Sequence, residues 1–398
     1  MTDATEPAPP SLRDVVSVLD AQWDPAWADD WDAVGTSVGD LDAPVRKVLL
    51  AVDPTLAVVD EAIAWGADLL LTHHPLLLKG VHGVATDTPK GRIVHRLVAG
   101  GVALHTCHTN ADSPPGGVSA SMADALGLVD VRPLDPDPDE PLDKWVLLVP
   151  SDDADRVADA MLDAGAGHIG DYDRCTFVTA GIGSFRPLEG ADPTIGTVGE
   201  QEHVAEDRVE MVARPGLRAE LLRVLREVHP YEEPAFDVLE MAPRPGARGS
   251  GRIGTLLEPT TLAAFAADVV AGLPATSSVA RVAGDPDREV RTVALCGGSG
   301  DFLLDHARRA GADVYVTSDM RHHPVSEARE LDDAPAIVDV PHWAAEWTWL
   351  PSAERLLSEA LAAAGSRVET RVSRIVTDPW TAHVAWPSGA TTPRRHAP

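Results

Sequence analysis

The sequence predicts an α/β protein: a split αβα domain formed by the N- and C-terminal segments and interrupted by a ferredoxin-like α+β insert. Three observations carry that expectation. Short apolar, β-branched runs alternate with longer amphipathic stretches from Val45 to about Leu128, and again beyond about Arg252. Such alternation marks a parallel sheet covered by helices. The stretch between them runs strand, helix, two extended segments, helix, strand, the βαββαβ plan. Proline-rich runs bound that stretch on both sides, RPLDPDPDEPLD at 132–143 and PRPGARGSG at 243–251, and both are expected to be linkers.

The elements follow in order. In the first segment 45–52 (VRKVLLAV), 68–72 (DLLLT) and 102–106 are expected strands, and 56–65, 92–99 and 118–126 expected helices. The insert opens on the strand WVLLVP at 145–150 and continues with a helix at 153–164, extended segments at 171–181 and 204–213, a helix at 217–228 and a strand near 236–241. The last segment supplies strands at 290–296, 313–317 and 336–340, with helices near 302–310 and 325–331. This assigns residues 1–140 and 244–386 to the two halves of the split domain and 141–243 to the insert. The Pro-, Thr- and Arg-rich tail at 387–398 is expected to be disordered.

Composition narrows the function. Lys and Arg number 33 against 62 Asp and Glu, a formal charge of −29, which disfavours nucleic acid and anionic membranes as partners. Small molecules, metal cations and protein partners remain. With 44% of residues hydrophobic, the chain can bury a substantial core. The three cysteines, Cys107, Cys175 and Cys296, are far apart, so they form no zinc-knuckle pair and no disulfide framework, and a reducing compartment fits. The acidic, proline-rich start does not resemble a secretory signal, and no stretch of eighteen apolar residues occurs. A soluble, cytoplasmic protein is therefore expected.

Chemistry-bearing residues gather where strands should end, which is where parallel sheets bind ligands. His73 and His74 follow DLLLT and precede Pro75. Neighbouring side chains on a strand point to opposite faces, so the two share one metal only if the chain turns at Pro75; otherwise they serve two neighbouring ions. Taken alone, the doublet is as readily a polar strand terminus as a ligand pair. In HTCHTNAD at 105–112, Asp112 could bridge two cations, which a neutral imidazole cannot do. His105 is expected to be structural and Cys107 buried packing. His108 is a ligand, a donor that orients Asp112, or a satisfied core residue, with the orienting role favoured.

His342 and Glu346 lie four apart after the apolar run AIVDV, so a helix starting there would place both on one face. By itself that pair is more readily an exposed surface pair. In TSDMRHHP at 317–324, the doublet His322 and His323 competes for the ligand role, while Asp319 could orient a ligand, accept a proton or cap a helix. Asp319 and His322 are expected behind the ligands or facing substrate. Gly297-Gly-Ser-Gly300 lacks a Walker lysine and is expected to be a tight turn.

These motifs, in this order, resemble the GTP cyclohydrolase I type 2 homologs, a family with a dinuclear metal centre, in its longer form with a central inserted domain. The resemblance runs along most of the chain. It rests on WDAVG at 31–35, THHPLLLKG at 72–80, HTNAD at 108–112, GRIG at 251–254, CGGSG at 296–300, TSD at 317–319 and HWAAE at 342–346, and on YDRCTF, GSFRPLEG and HPYEEPAFDV in the insert. It implies an intertwined α/β domain flanking the insert, assembled as a homohexamer, with two divalent ions per chain (Zn, Fe, Mn, Co or Ni). By the same resemblance the ligands are His73, His74, Asp112, His342 and Glu346, with Asp112 and Glu346 sharing the ions. The chain departs from the family pattern at Ala33, Thr36, Ser318 and Pro341.

Two functions follow from these expectations. The first is a metal-dependent hydrolase in which paired ions activate water against a nucleotide-like or cyclic amide substrate. The alternative is a non-catalytic metal-storage, metal-delivery or regulatory ring whose insert binds an effector or partner, with His229, Tyr231, Glu232 and Glu233 as an unusual polar cluster there.

Overall fold

The computed structural model describes residues 8–385, so the expectation for the tail at 387–398 lies outside the described residues. The chain divides into two compact units, one built from the residues up to Asp137 together with those from Ala247 onward, the other Pro138–Gly246.

The first unit is mixed α/β with two sheets. In the first sheet the strand order is Gly35–Val38, Ala103–Thr106, Leu69–Thr72, Lys47–Ala51, Glu369–Val372. All neighbours are parallel except the first pair. The second sheet runs Arg281–Ala283, Ala336–Asp339, Val314–Ser318, Glu289–Ser299, Pro245–Thr261, Val129–Pro138, parallel through its middle three strands. Each sheet takes an edge strand from the other end of the chain: Glu369–Val372 completes the first and Val129–Pro138 the second.

The continuous apolar runs of the central strands follow from burial on both faces. Along Lys47–Ala51 and Leu69–Thr72 the side chains alternate. Leu50 and Leu71 join a core with Val293, Val316 and the helix Trp349–Ala363, whereas Leu49 and Leu70 pack with Val58, Ile93 and Leu97 of the helices Leu56–Trp65 and Pro89–Gly100. Trp23 and Trp349 meet edge-to-face at 5.2 Å within the first core. The helix Leu56–Trp65 ends as its sequence directs, on Gly66 in the left-handed region.

The two proline-rich runs expected as linkers do contain the boundaries between the units, but most of each is strand: 132–138 lies in Val129–Pro138 and 245–251 in Pro245–Thr261, neighbours at one edge of the second sheet. Proline is compatible with an edge strand because only one side of its backbone must donate to a ladder; Pro133, Pro136 and Pro138 lie in the outermost strand. The helix expected near 325–331 instead spans His322–Ala328.

The second unit has the element order β-α-β-β-α-β. Its antiparallel sheet places Thr176–Phe185, Glu202–Ala213, Asp143–Pro150 and Ala235–Glu240 side by side, the order second, third, first, fourth. Trp145, Leu147 and Val149 pack on Val157 and Met161 of one helix and Leu221 and Leu225 of the other. Among the described residues no helix is long and apolar enough to cross a membrane.

Candidate metal centre

Four histidines and two carboxylates converge in the first unit. His73 and His74 extend the ladder one step past Leu69–Thr72, their N–H groups donating to the carbonyls of Ala51 and Val52, and their rings sit 5.1 Å apart. His108 immediately precedes the short helix Thr109–Asp112, and its ring lies 5.1 Å from that of His73 and 5.5 Å from that of His74. His342 and Glu346 belong to the helix His342–Trp347, which follows the strand Ala336–Asp339. The one-turn spacing puts both on the face turned to His74, whose ring is 5.4 Å from that of His342.

Each imidazole is held by its Nδ1. His73 donates to the Cys107 carbonyl at 2.9 Å, His74 to Asp53 at 2.7 Å, His108 to Asp32 at 2.8 Å and His342 to Asp319 at 2.7 Å. An imidazole that donates Nδ1–H to an oxygen presents Nε2 as its lone pair, the arrangement that backs metal-binding histidines. The His73 and His74 Nε2 atoms are 3.6 and 3.1 Å from Glu346 oxygens, and His73 Nε2 is also 3.6 Å from Asp112 Oδ1.

His342 Nε2 is 2.6 Å from Glu346 Oε1 but is not aligned as a hydrogen bond. It stays unsatisfied in the interior, as do Glu346 Oε2 and Asp112 Oδ1. Buried polar atoms left without partners need an explanation, and a cation between them supplies one. Two groups of donors lie close enough to hold an ion, His73 with His74 and His108, and His74 with His342 and Glu346, the atoms of each within 4.8 Å of one another.

The carboxylates draw positive charge to this point, carried either by protons on the imidazoles or by a cation that takes their place. Burial opposes charge on the imidazoles, yet Glu346 and Asp53 lift His74 to about 11, and Glu346 and Asp319 lift His342 to about 10. Burial likewise opposes charge on Glu346, but His74, His342 and His73 hold its carboxyl well below the usual range. Asp112 is pushed upward, chiefly by burial. The pocket is arranged around an excess of carboxylate that calls for positive charge.

Of the residues singled out in the sequence, His73, His74, Asp112, His342 and Glu346 are brought together. His108 joins them through a ring nitrogen, and Asp319 stands directly behind His342. His322 is exposed at the start of its helix and belongs to neither donor group. His105 is buried, its Nδ1 2.9 Å from the Thr36 hydroxyl, and burial lowers its pKa to about 4. Cys107 is buried in the core, and burial pushes its thiol up.

Three residues of the centre escaped the sequence argument. Asp32 is sealed from solvent at its side chain and accepts from His108, the Thr109 backbone and hydroxyl and the Ala33 backbone. Its position within WDAVG was the available signal. Asp53 follows a predicted strand, where the strand-end rule would have found it. Gly298 is the third. Gly297–Ser299, expected in a tight turn, instead continue the strand Glu289–Ser299 through a register shift. Gly298 takes φ +78°, and a Cβ there would lie 2.6 Å from Glu346 Oε1 and 3.3 Å from His342 Nε2. A bare backbone at that point leaves room for the carboxylate.

Comparison with known proteins follows the same line. The family model described as Duf34/NIF3 (NGG1p interacting factor 3) matches residues 10–379. A Mycobacterium tuberculosis protein named GTP cyclohydrolase 1 type 2 homolog is 49% identical over 370 residues, covering 93% of this chain and 96% of its own. Among solved structures, a Bacillus cereus protein related to NIF3 is 37% identical with a TM-score of 0.72, covering 93% of this chain and 98% of that one. A Staphylococcus aureus protein is 28% identical with a TM-score of 0.80, covering 94% and 99%. The resemblance first read from the motifs is borne out.

Proposed function

The chain belongs to the Duf34/NIF3 family, and from that premise we propose that it binds two divalent cations at the cluster of His73, His74, His108, Asp112, His342 and Glu346 and uses them to hydrolyse a nucleotide-like or cyclic amide substrate. The observation that carries this reading is the set of four imidazoles whose Nδ1 atoms are held from behind and whose other nitrogens face buried carboxylate oxygens without partners. Mixed imidazole and carboxylate donors suit Zn, Fe, Mn, Co or Ni. His73, His108 and Asp112 would hold one ion and His74 with His342 the other, with Glu346, which offers one oxygen to His342 and one to His74, shared between them. When bound, such ions supply Lewis acidity that lowers the pKa of water and polarises a substrate oxygen.

The chain's own residues do the positioning. Asp32, Asp53 and Asp319 fix the imidazole rings, and the Cys107 carbonyl fixes the tautomer of His73. Glu346, buried on its helix, keeps its charge against desolvation because imidazoles surround it. A homohexamer, implied by the sequence resemblance, belongs to the same proposal and is read by light scattering. The test of function is a hydrolase screen of metal-loaded protein on nucleotides and cyclic amides, beside Glu346→Gln. Turnover that depends on metal and disappears in the variant supports the reading. Protein that binds and exchanges metal without turning over any substrate class overturns the hydrolase and leaves metal delivery.

A further inference from the structure

Beside the metal centre lies a cavity of about 580 Å³ whose lining includes His74 and His342, their carboxylates Asp53 and Asp319, and two side chains without a role so far, Trp380 and Arg281. We propose that Trp380 and Arg281 read the ligand that enters this cavity, and that the ligand is a planar heterocycle bearing one anionic group. The placement of its reacting end at the histidines rests on the function proposed above; the recognition by Trp380 and Arg281 does not.

Trp380 is 70% exposed, an unusual state for an indole, which normally buries most of its surface. Its segment is nevertheless fastened on both sides. Before it, the Thr377 hydroxyl donates to Asp53 Oδ2 and the Ser278 hydroxyl donates to Asp378 at 2.7 Å; after it, His383 Nδ1 donates to the Ser277 carbonyl at 2.9 Å. Asp53 is the same carboxylate that holds His74 through its other oxygen. The segment that carries the indole is therefore tied to His74 by two hydrogen bonds in series, through Thr377 and Asp53, and the exposed ring lines the cavity. An open aromatic face on an anchored segment takes flat rings by stacking.

Among the described residues, Arg281 is the one Lys or Arg along this lining, beside the carboxylates of Asp53, Asp319, Asp339 and Asp378. Its guanidinium is fixed by donation to Asp339 at 2.6 Å and to the Met320 carbonyl at 3.0 Å. Its Nη1 has no hydrogen-bond partner among the described residues, and the side chain is 63% exposed. A chain of several phosphates is repelled by such a wall, whereas one phosphate or carboxylate group meets a preset donor at Arg281.

The experiment titrates the full-length protein, zinc-loaded and zinc-free, with adenosine 5′-monophosphate, adenosine and ribose 5-phosphate, and measures metal content in every sample. Trp380→Ala is expected to weaken both adenine-bearing probes by roughly tenfold or more and to leave ribose 5-phosphate unchanged. Arg281→Gln is expected to weaken the two phosphates and to spare adenosine, with metal content unchanged in both variants. Wild-type affinity for adenosine 5′-monophosphate in Trp380→Ala, or no binding of any probe to wild type, overturns the proposal. Absence of zinc from reconstituted wild type would instead overturn the metal centre, while the probe titrations still decide the role of Trp380.

Discussion

Glu346 Oε1 stands 2.6 Å from His342 Nε2, one helical turn earlier on the same helix. The other oxygen stands 3.1 Å from His74 Nε2, so one buried carboxylate faces histidines from both halves of the chain. Glu346→Gln keeps the shape and removes the charge. In the proposed centre it weakens divalent-metal affinity by at least about tenfold, read by chelator competition, with circular dichroism unchanged.

Asp32 touches no proposed ion, yet it fixes His108. Asp32→Asn retains an acceptor for Thr109 and loses the charge that holds the imidazole. Metal affinity is expected to fall by about ten- to a hundredfold. Asp32→Ala additionally leaves buried donors unpaired, and urea unfolding should show a loss on the order of 1–3 kcal/mol.

Gly298→Ala places a methyl group 2.6 Å from Glu346 Oε1 at φ +78°. The strained backbone costs on the order of 1–2 kcal/mol, seen as a lowered thermal midpoint. The displaced carboxylate costs metal as well. A variant with wild-type metal affinity would show that the carboxylate does not depend on this gap.

Burial lowers the His105 pKa to about 4 in the folded protein, from the ordinary histidine value of 6.5 in the unfolded chain. The unfolded chain binds its proton first, so this residue's contribution is fully present above pH 6.5 and is lost as pH falls toward 4. The difference is on the order of 3 kcal/mol. Stability measured across that window should fall less steeply in His105→Gln than in wild type.

The sequence exposed the parts of this protein that rest on local pattern. Apolar runs such as DLLL read as buried strands because both their faces are covered, and the histidines following them stood out by type. What it concealed depends on partners far away in the chain. The proline-rich strand Val129–Pro138 reads as a linker until Pro245–Thr261 lies beside it. Asp32 looks like any acid in a strongly acidic chain until His108, 76 positions later, donates to it. The role of Gly298 becomes visible only with Glu346 against it, because the need for a missing side chain is set by a neighbour and not by the local motif.

Metal analysis of protein purified without added metal or chelator, wild type beside Asp112→Ala, addresses the dinuclear centre itself. The geometry predicts about two divalent ions per chain in wild type and a loss in the variant. Equal and negligible metal in both, persisting after reconstitution with zinc, iron(II) or manganese, would contradict it.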